Sequence, residues 1–120
     1  MDEILNSEDI VSSANIAAGT VRQELYRLKI PSGAKFEMTE FGNYVGDTGA
    51  WGNVYWDIFV DGSPVRNYSP MYDQYGSQTE MRKISYGYIT AFNELVIYAS
   101  NADSVTRAMG VTFKGVYKAG

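Results

Sequence analysis

The side chains here that could move a proton or hold a ligand are carboxylates and aromatics. Two acid pairs stand close in sequence, Glu37 with Glu40 and Asp57 with Asp61. A glycosidase needs two acids on one concave face, about 5–9 Å apart. Asp57 lies in a run rich in aromatics, a common setting for such an acid. Strand alternation puts Glu37 and Glu40 on opposite faces, and Asp61 reads as a turn residue. All four are therefore expected to be solvated strand and turn carboxylates. A glycosidase working through Asp57 and Glu37 stands as the enzymatic rival.

Calcium could use Asp47, Asn101 or Asp103, but no Asp-x-Asp-x-Asp-Gly loop organises them. Gly42, Gly46 and Gly49 are not followed by a helix and a lysine, so a phosphate-cradling loop is not expected. Asn67-Tyr68-Ser69 matches a glycosylation acceptor, a pattern that arises often by chance. The chain has no histidine and no cysteine. That removes the commonest general base, the usual zinc ligands, the Ser-His-Asp and Cys-His nucleophilic systems, and disulfides. The expectation is a non-enzyme with no metal and no cofactor.

Ten tyrosines and two tryptophans supply the other chemistry. Such rings join a large apolar area to a polar tip, which suits protein interfaces and sugar platforms alike. Trp51 sits in the glycine-rich stretch Gly49-Ala50-Trp51-Gly52. Tyr68, Tyr72 and Tyr75 lie in or beside a polar run, where exposure in an interface is expected. Trp56, Tyr86 and Tyr88 fall on strands, where aromatics are favoured for packing alone.

To position these residues the chain must supply a framework, and its hydrophobic pattern says which. From about residue 20 the pattern has period 2. The first strand spans Glu24 to Ile30, with Leu25 breaking the alternation, and Pro31-Ser32-Gly33 ends it. Ala34 to Phe41 is the second, with Phe36 and Met38 on one face and Glu37 and Thr39 on the other. Gly42-Asn43 and Gly46 to Gly49 read as loop. Asn53 to Val60 is the clearest strand, and Asp61-Gly62 is a strong two-residue hairpin signal. Ser63 to Tyr68 returns as an edge strand because of Pro64, and residues 69–80 form a long polar loop. Lys83 to Ala91 follows, with Ile84, Tyr86 and Tyr88 on one face. Glu94 to Ser100 is apolar enough to be covered on both sides. Val111 to Tyr117 closes the domain, and Val105 to Met109 is either strand or turn. Seven or eight short strands predict an all-β, antiparallel, jelly-roll-like sandwich over residues 20–120.

Residues 1–19 differ. They hold no aromatic residue, and Asp2, Glu3, Glu8 and Asp9 account for the whole net charge of −4. The other ten acids are balanced by ten bases. This segment reads as a polar arm or a short helix with a weak apolar face of Ile4, Leu5, Ile10 and Val11, available to a partner. On that reading, removing residues 1–15 would leave the domain folded but weaken its assembly. The neutral body offers no basic stripe for phosphates, so nucleic acid is not expected. No apolar run approaches the ~20 residues of a spanning helix. No basic region followed by an apolar stretch opens the chain, so a secretory signal is not expected either.

With the strands laid out, the chain resembles the small β-sandwich decoration, or cement, proteins of tailed-bacteriophage capsids. The resemblance is carried by the acidic segment 1–19 and by the strand and Pro-Ser-Gly turn at Ile30 to Gly33. It continues in Gly52-Asn53-Val54-Tyr55-Trp56 running into Phe59-Val60-Asp61-Gly62, and in the late strands Ile84 to Ile89 and Leu95 to Ala99. It implies a virion protein, made in a host cytoplasm, that clamps a capsid lattice. Its implied partners are the major capsid protein and copies of itself, in trimers. The rival binding function is a carbohydrate- or receptor-binding module using exposed tryptophan and tyrosine, above all Trp51.

Overall fold

The structure, a computed structural model, describes residues 4–77, 80–84 and 89–120. Among these, nine strands follow in order: β1 (Ile4–Ile16), β2 (Gln23–Lys29), β3 (Ala34–Val45), β4 (Val54–Val60), β5 (Ser63–Pro64), β6 (Arg82–Lys83), β7 (Ile89–Ala91), β8 (Glu94–Asn101) and β9 (Arg107–Ala119). They form two antiparallel sheets packed face to face. One has the order β1-β9-β3-β6, with β7 also on β3, and the other the order β2-β8-β4-β5.

The winding has a simple rule. The chain doubles back at Asp61-Gly62, and the halves pair in nested fashion: β4 with β5, β3 with β6 and β7, β2 with β8, β1 with β9. That is the jelly-roll order, with β6 and β7 sharing one position along β3. The predicted sandwich is therefore present. The hairpin at its centre closes as expected, with Val60 opposite Ser63 and positive φ at Asp61 (51°) and Gly62 (88°).

Two bulges decide which side chains face the core. Leu25, the residue that breaks the alternation, is skipped in the β2–β8 register. In β3 the register skips Thr39. Before it the inner face takes Phe36 and Met38; after it, Phe41, Asn43 and Val45. The bulge therefore puts Glu37 and Glu40 on the same outer face, which corrects the expectation of opposite faces. Gly42 and Asn43 are strand, not loop. A Cβ on Gly42 would stand 2.3 Å from the Ser77 carbonyl oxygen, so only glycine lets the backbone at Ser77 cross there.

Other expectations need correction. The predicted arm or short helix is strand: Ile4 to Ile16 pair along β9, and Ile16 is fully buried. Polarity misled because the strand lies at a sheet edge, where polar residues are tolerated. The predicted strand from Lys83 to Ala91 is described only as β6 and β7, and Tyr86 and Tyr88 lie outside the described residues. Of the predicted return strand only Ser63 and Pro64 pair, followed by a 3₁₀ turn at Arg66–Tyr68. The last strand begins at Arg107.

The core lies between the sheets around Trp56, Phe36, Phe41, Phe113, Ile58 and Ile97, all fully buried. In β8, Leu95 and Ile97 face the core, while Val96 is buried on the outer face beside Phe59, so the apolar run does not mark a strand covered by layers on both sides.

Asp61 fastens the central turn to the β7–β8 turn. Its carboxylate accepts the N–H groups of Phe92 (3.1 Å), Asn93 (2.7 Å) and Glu94 (3.0 Å). Burial alone would raise its pKa, but these three donors outweigh it and hold the carboxyl below its usual range. The folded state thus gives up this proton more readily than the unfolded chain. The stability Asp61 contributes is complete above the unfolded value, about 4, and is lost as pH falls through the lower folded value. Asp61→Ala is expected to cost about 1–2 kcal/mol at neutral pH. Thermal melts at about pH 7 and about pH 2.5 should show the gap between variant and wild type narrowing in acid.

Candidate functional site

The residues singled out by sequence fall in different places. On β1, Ile10 packs against the core and Val11 faces out, 60% exposed. The backbone of Ile4 and Leu5 lies in the same strand. Trp51 does not stand free in a loop. Its ring packs at 5.3 Å on that of Trp56, half-buried against the core. Tyr68, expected to be exposed, is buried at 4%, because Ser69 and Met71 pin its segment to β4. Tyr75 is half-buried, its ring 5.3 Å from that of Tyr68, and only Tyr72 is exposed.

The structure nevertheless brings Tyr68, Tyr72 and Tyr75 together. With Met71, Asp73 and Arg82 they line a groove of about 300 Å³. Asn43, buried in β3, clamps it from below: its amide donates to the Asp73 carbonyl (3.1 Å) and its oxygen accepts from the Tyr75 N–H (2.7 Å). The Arg82 guanidinium lies 4.9 Å over the Tyr75 ring.

Tyr72 links this groove to the outer face of the four-stranded sheet by stacking on Tyr55 at 4.9 Å. Alternation in β4 turns Val54, Trp56 and Ile58 inward and Tyr55, Asp57 and Phe59 outward. The pairing with β8 sets Tyr98 beside Asp57, Ser100 beside Tyr55 and Val96 beside Phe59. Phe59 and Tyr98 meet edge to face at 5.2 Å. From the turn before β2, Arg22 reaches over this face, its guanidinium 5.2 Å above the Phe59 ring. Its Nε is 3.8 Å from Asp57 Oδ2, beyond hydrogen-bond length.

Asp57 is the unusual member. It is 2% exposed, yet its Oδ2 accepts no hydrogen bond among the described residues. Desolvation raises its pKa, and the nearby Arg22 charge opposes that only in part. An ionised carboxylate so placed is destabilising, and the cost is relieved as pH falls below the raised folded value. Asp57→Asn is therefore expected to stabilise the fold by about 1 kcal/mol near neutral pH. Its advantage in a melting series should shrink as pH falls through the raised folded value and be gone by about pH 4, the unfolded value.

The other acids serve the framework. Glu37 pairs with Lys118 at 2.9 Å on the outer face of the other sheet, so it and Asp57 point away from opposite sides of the sandwich. Those two cannot flank one glycosidic bond. The calcium candidates Asp47 and Asp103 do converge, but on Arg107, at 2.7 Å each. Asn101 donates to the carbonyls of Ile16 and Val105.

Alternation in β4 is enough to group Tyr55, Asp57 and Phe59 on one face. Sequence inspection missed Arg22 and Tyr98, which reach that face from the turn before β2 and from β8. No protein-family model and no curated protein matches the chain.

Proposed function

We propose that this chain is a non-enzymatic assembly protein of a virion, a decoration protein that binds and stabilises a capsid lattice as symmetric copies. The observation that carries this reading is the free edge of β1. β1 runs for 13 residues in a molecule 48 Å long. Among the described residues its strand pairing is with β9, and toward β2 the Ser12 hydroxyl donates to the Leu25 carbonyl at 2.7 Å. A strand of this length with one neighbour offers a row of N–H and C=O groups to a strand from another chain. The acids Glu8 and Asp9 lie midway along it, so a like-charged copy would be repelled and a strand carrying bases favoured. The jelly-roll winding supports the reading by fold analogy alone, since viral shell subunits and lectins both use it.

The test is sedimentation of particles from the source, followed by mass spectrometry of each fraction. The chain should travel with the heaviest particles in a fixed ratio to their shell subunit. Glu8→Lys combined with Asp9→Lys should lower that ratio. A chain found only as free protein, with intact particles lacking it, would remove the reading.

A carbohydrate-binding module is the second reading, favoured by one observation: Tyr72 is 45% exposed and backed by Tyr55. Tyr72→Ala, with glycan binding lost and particle association retained, would favour it. Trp51→Ala is a poor probe, because that ring supports Trp56.

A further inference from the structure

We propose that the outer face of the four-stranded sheet is a receptor for a guanidinium group, an arginine side chain presented by a partner protein, seated where Arg22 now lies. The site is separate from the β1 edge and stands whether or not the partner is a capsid.

Three observations converge. First, Asp57 is a buried acceptor with nothing donating to Oδ2 among the described residues. A carboxylate in that position is costly to keep unless something completes it, and what completes it must donate hydrogen bonds and preferably carry positive charge. Second, the groups around it are ring surfaces: Phe59 and Tyr98 meet edge to face at 5.2 Å, with Tyr55 on the next rung of β4. A planar cation is held well by ring faces, more so when a carboxylate lies at their margin. Third, the chain's own guanidinium already adopts this geometry incompletely. Arg22 lies over Phe59 but stops 3.8 Å short of Oδ2.

Arg22 is also loosely held. Its side chain is 55% exposed, and its backbone sits at φ 56°, a left-handed conformation unfavourable for arginine. The contact that anchors it is backbone, its N–H donating to Ser100 Oγ at 2.8 Å. The side chain can swing away while the backbone stays. A guanidinium approaching from outside is free to take the position over Phe59 and reach Oδ2, which Arg22 does not. In the free chain Arg22 acts as a weak competitor for its own receptor.

That competition gives the experiment its sign. Blocked arginine (N-acetyl-arginine methylamide) is titrated into the full chain, and the ring signals of Phe59 and Tyr98 are followed by nuclear magnetic resonance. Blocked citrulline, its neutral isostere, and a methyl glycoside are run alongside. Arg22→Ala should tighten blocked-arginine binding about threefold or more, by removing the competitor. Asp57→Asn, checked for an unchanged or higher melting temperature, should weaken it about tenfold. Citrulline should bind far more weakly than arginine. The proposal is overturned if Arg22→Ala leaves affinity unchanged or lowers it, or if citrulline matches arginine. It is also overturned if neither wild type nor Arg22→Ala responds, or if the glycoside alone moves these signals. None of these outcomes bears on whether the chain sediments with particles, so the two proposals fail separately.

Discussion

Removal of residues 2–15 is expected to destabilise the fold strongly and promote aggregation rather than leave a trimmed domain of unchanged stability. β1 is the outer partner in the last of the nested pairs, matched to β9 from Ile4 opposite Lys118 to Ile16 opposite Arg107. Its inward residues Ile10 and Ala14 pack on the core, and Ile10 stands opposite the fully buried Phe113. Without the strand, the β9 edge and one flank of Met109, Val111 and Phe113 open to water. Loss of that apolar burial is worth about 3–5 kcal/mol, against about 5–15 kcal/mol for a whole domain. The bare edge of β9 would then recruit other chains. Far-ultraviolet circular dichroism with a thermal ramp, alongside sedimentation, reads both effects. A truncated chain that stays monomeric and melts within a few degrees of the full chain would show β1 to be dispensable, as its sequence suggested.

That contrast shows where local pattern stops being informative. Val54 to Val60 could be read directly, because alternation, aromatic content and the Asp61-Gly62 turn all agree within ten residues. In β1 nothing local agrees. Asn6, Ser7, Glu8, Asp9, Ser12 and Ser13 are poor strand formers, and their strand state is imposed by β9, about a hundred residues away along the chain. The same holds at finer scale in β3. Alternation was read correctly up to Met38 and then reversed at Thr39, because a bulge depends on the partner register and leaves no composition mark. Leu25 did leave one, since a hydrophobic residue out of phase is the visible trace of an extra residue.

The candidate site was legible one residue at a time. Asp57 stood out as an acid among aromatics, and Tyr68, Tyr72 and Tyr75 as a cluster beside a loop, and the structure does bring those tyrosines to one groove. Pairing Asp57 with Glu37 failed because the two belong to different sheets. The residues that do surround Asp57 come from three segments: Phe59 from β4, Tyr98 from β8, and Arg22 from the turn before β2. Their meeting is fixed by strand register and by a positive φ at an arginine, neither of which a single sequence displays.

The seam between β3 and β9 should be the least tolerant place in the fold, and two glycines there allow a graded test. A Cβ on Gly110 would fall 2.2 Å from the Tyr44 ring, and a Cβ on Gly115 would fall 2.3 Å from the Phe36 ring. In each case an aromatic side chain of β3 lies over a bare stretch of β9, a pairing that leaves no room for a methyl group. The two sites differ in what else is near. Gly110 meets ring atoms of Tyr44, which is only half-buried and can turn outward. Gly115 also meets the Glu37 carbonyl oxygen at 2.5 Å, a backbone atom fixed beside the Thr39 bulge, and its ring neighbour Phe36 is fully buried. Gly115→Ala is therefore expected to cost about 3 kcal/mol or more, and Gly110→Ala about 1 kcal/mol. Adding Phe36→Leu to Gly115→Ala should recover little, since the backbone clash stays and the trimmed ring leaves a void. Chemical denaturation of the three variants gives the order directly. Equal costs at the two glycines, or full rescue by Phe36→Leu, would mean that the ring and not the backbone sets the spacing of the two strands.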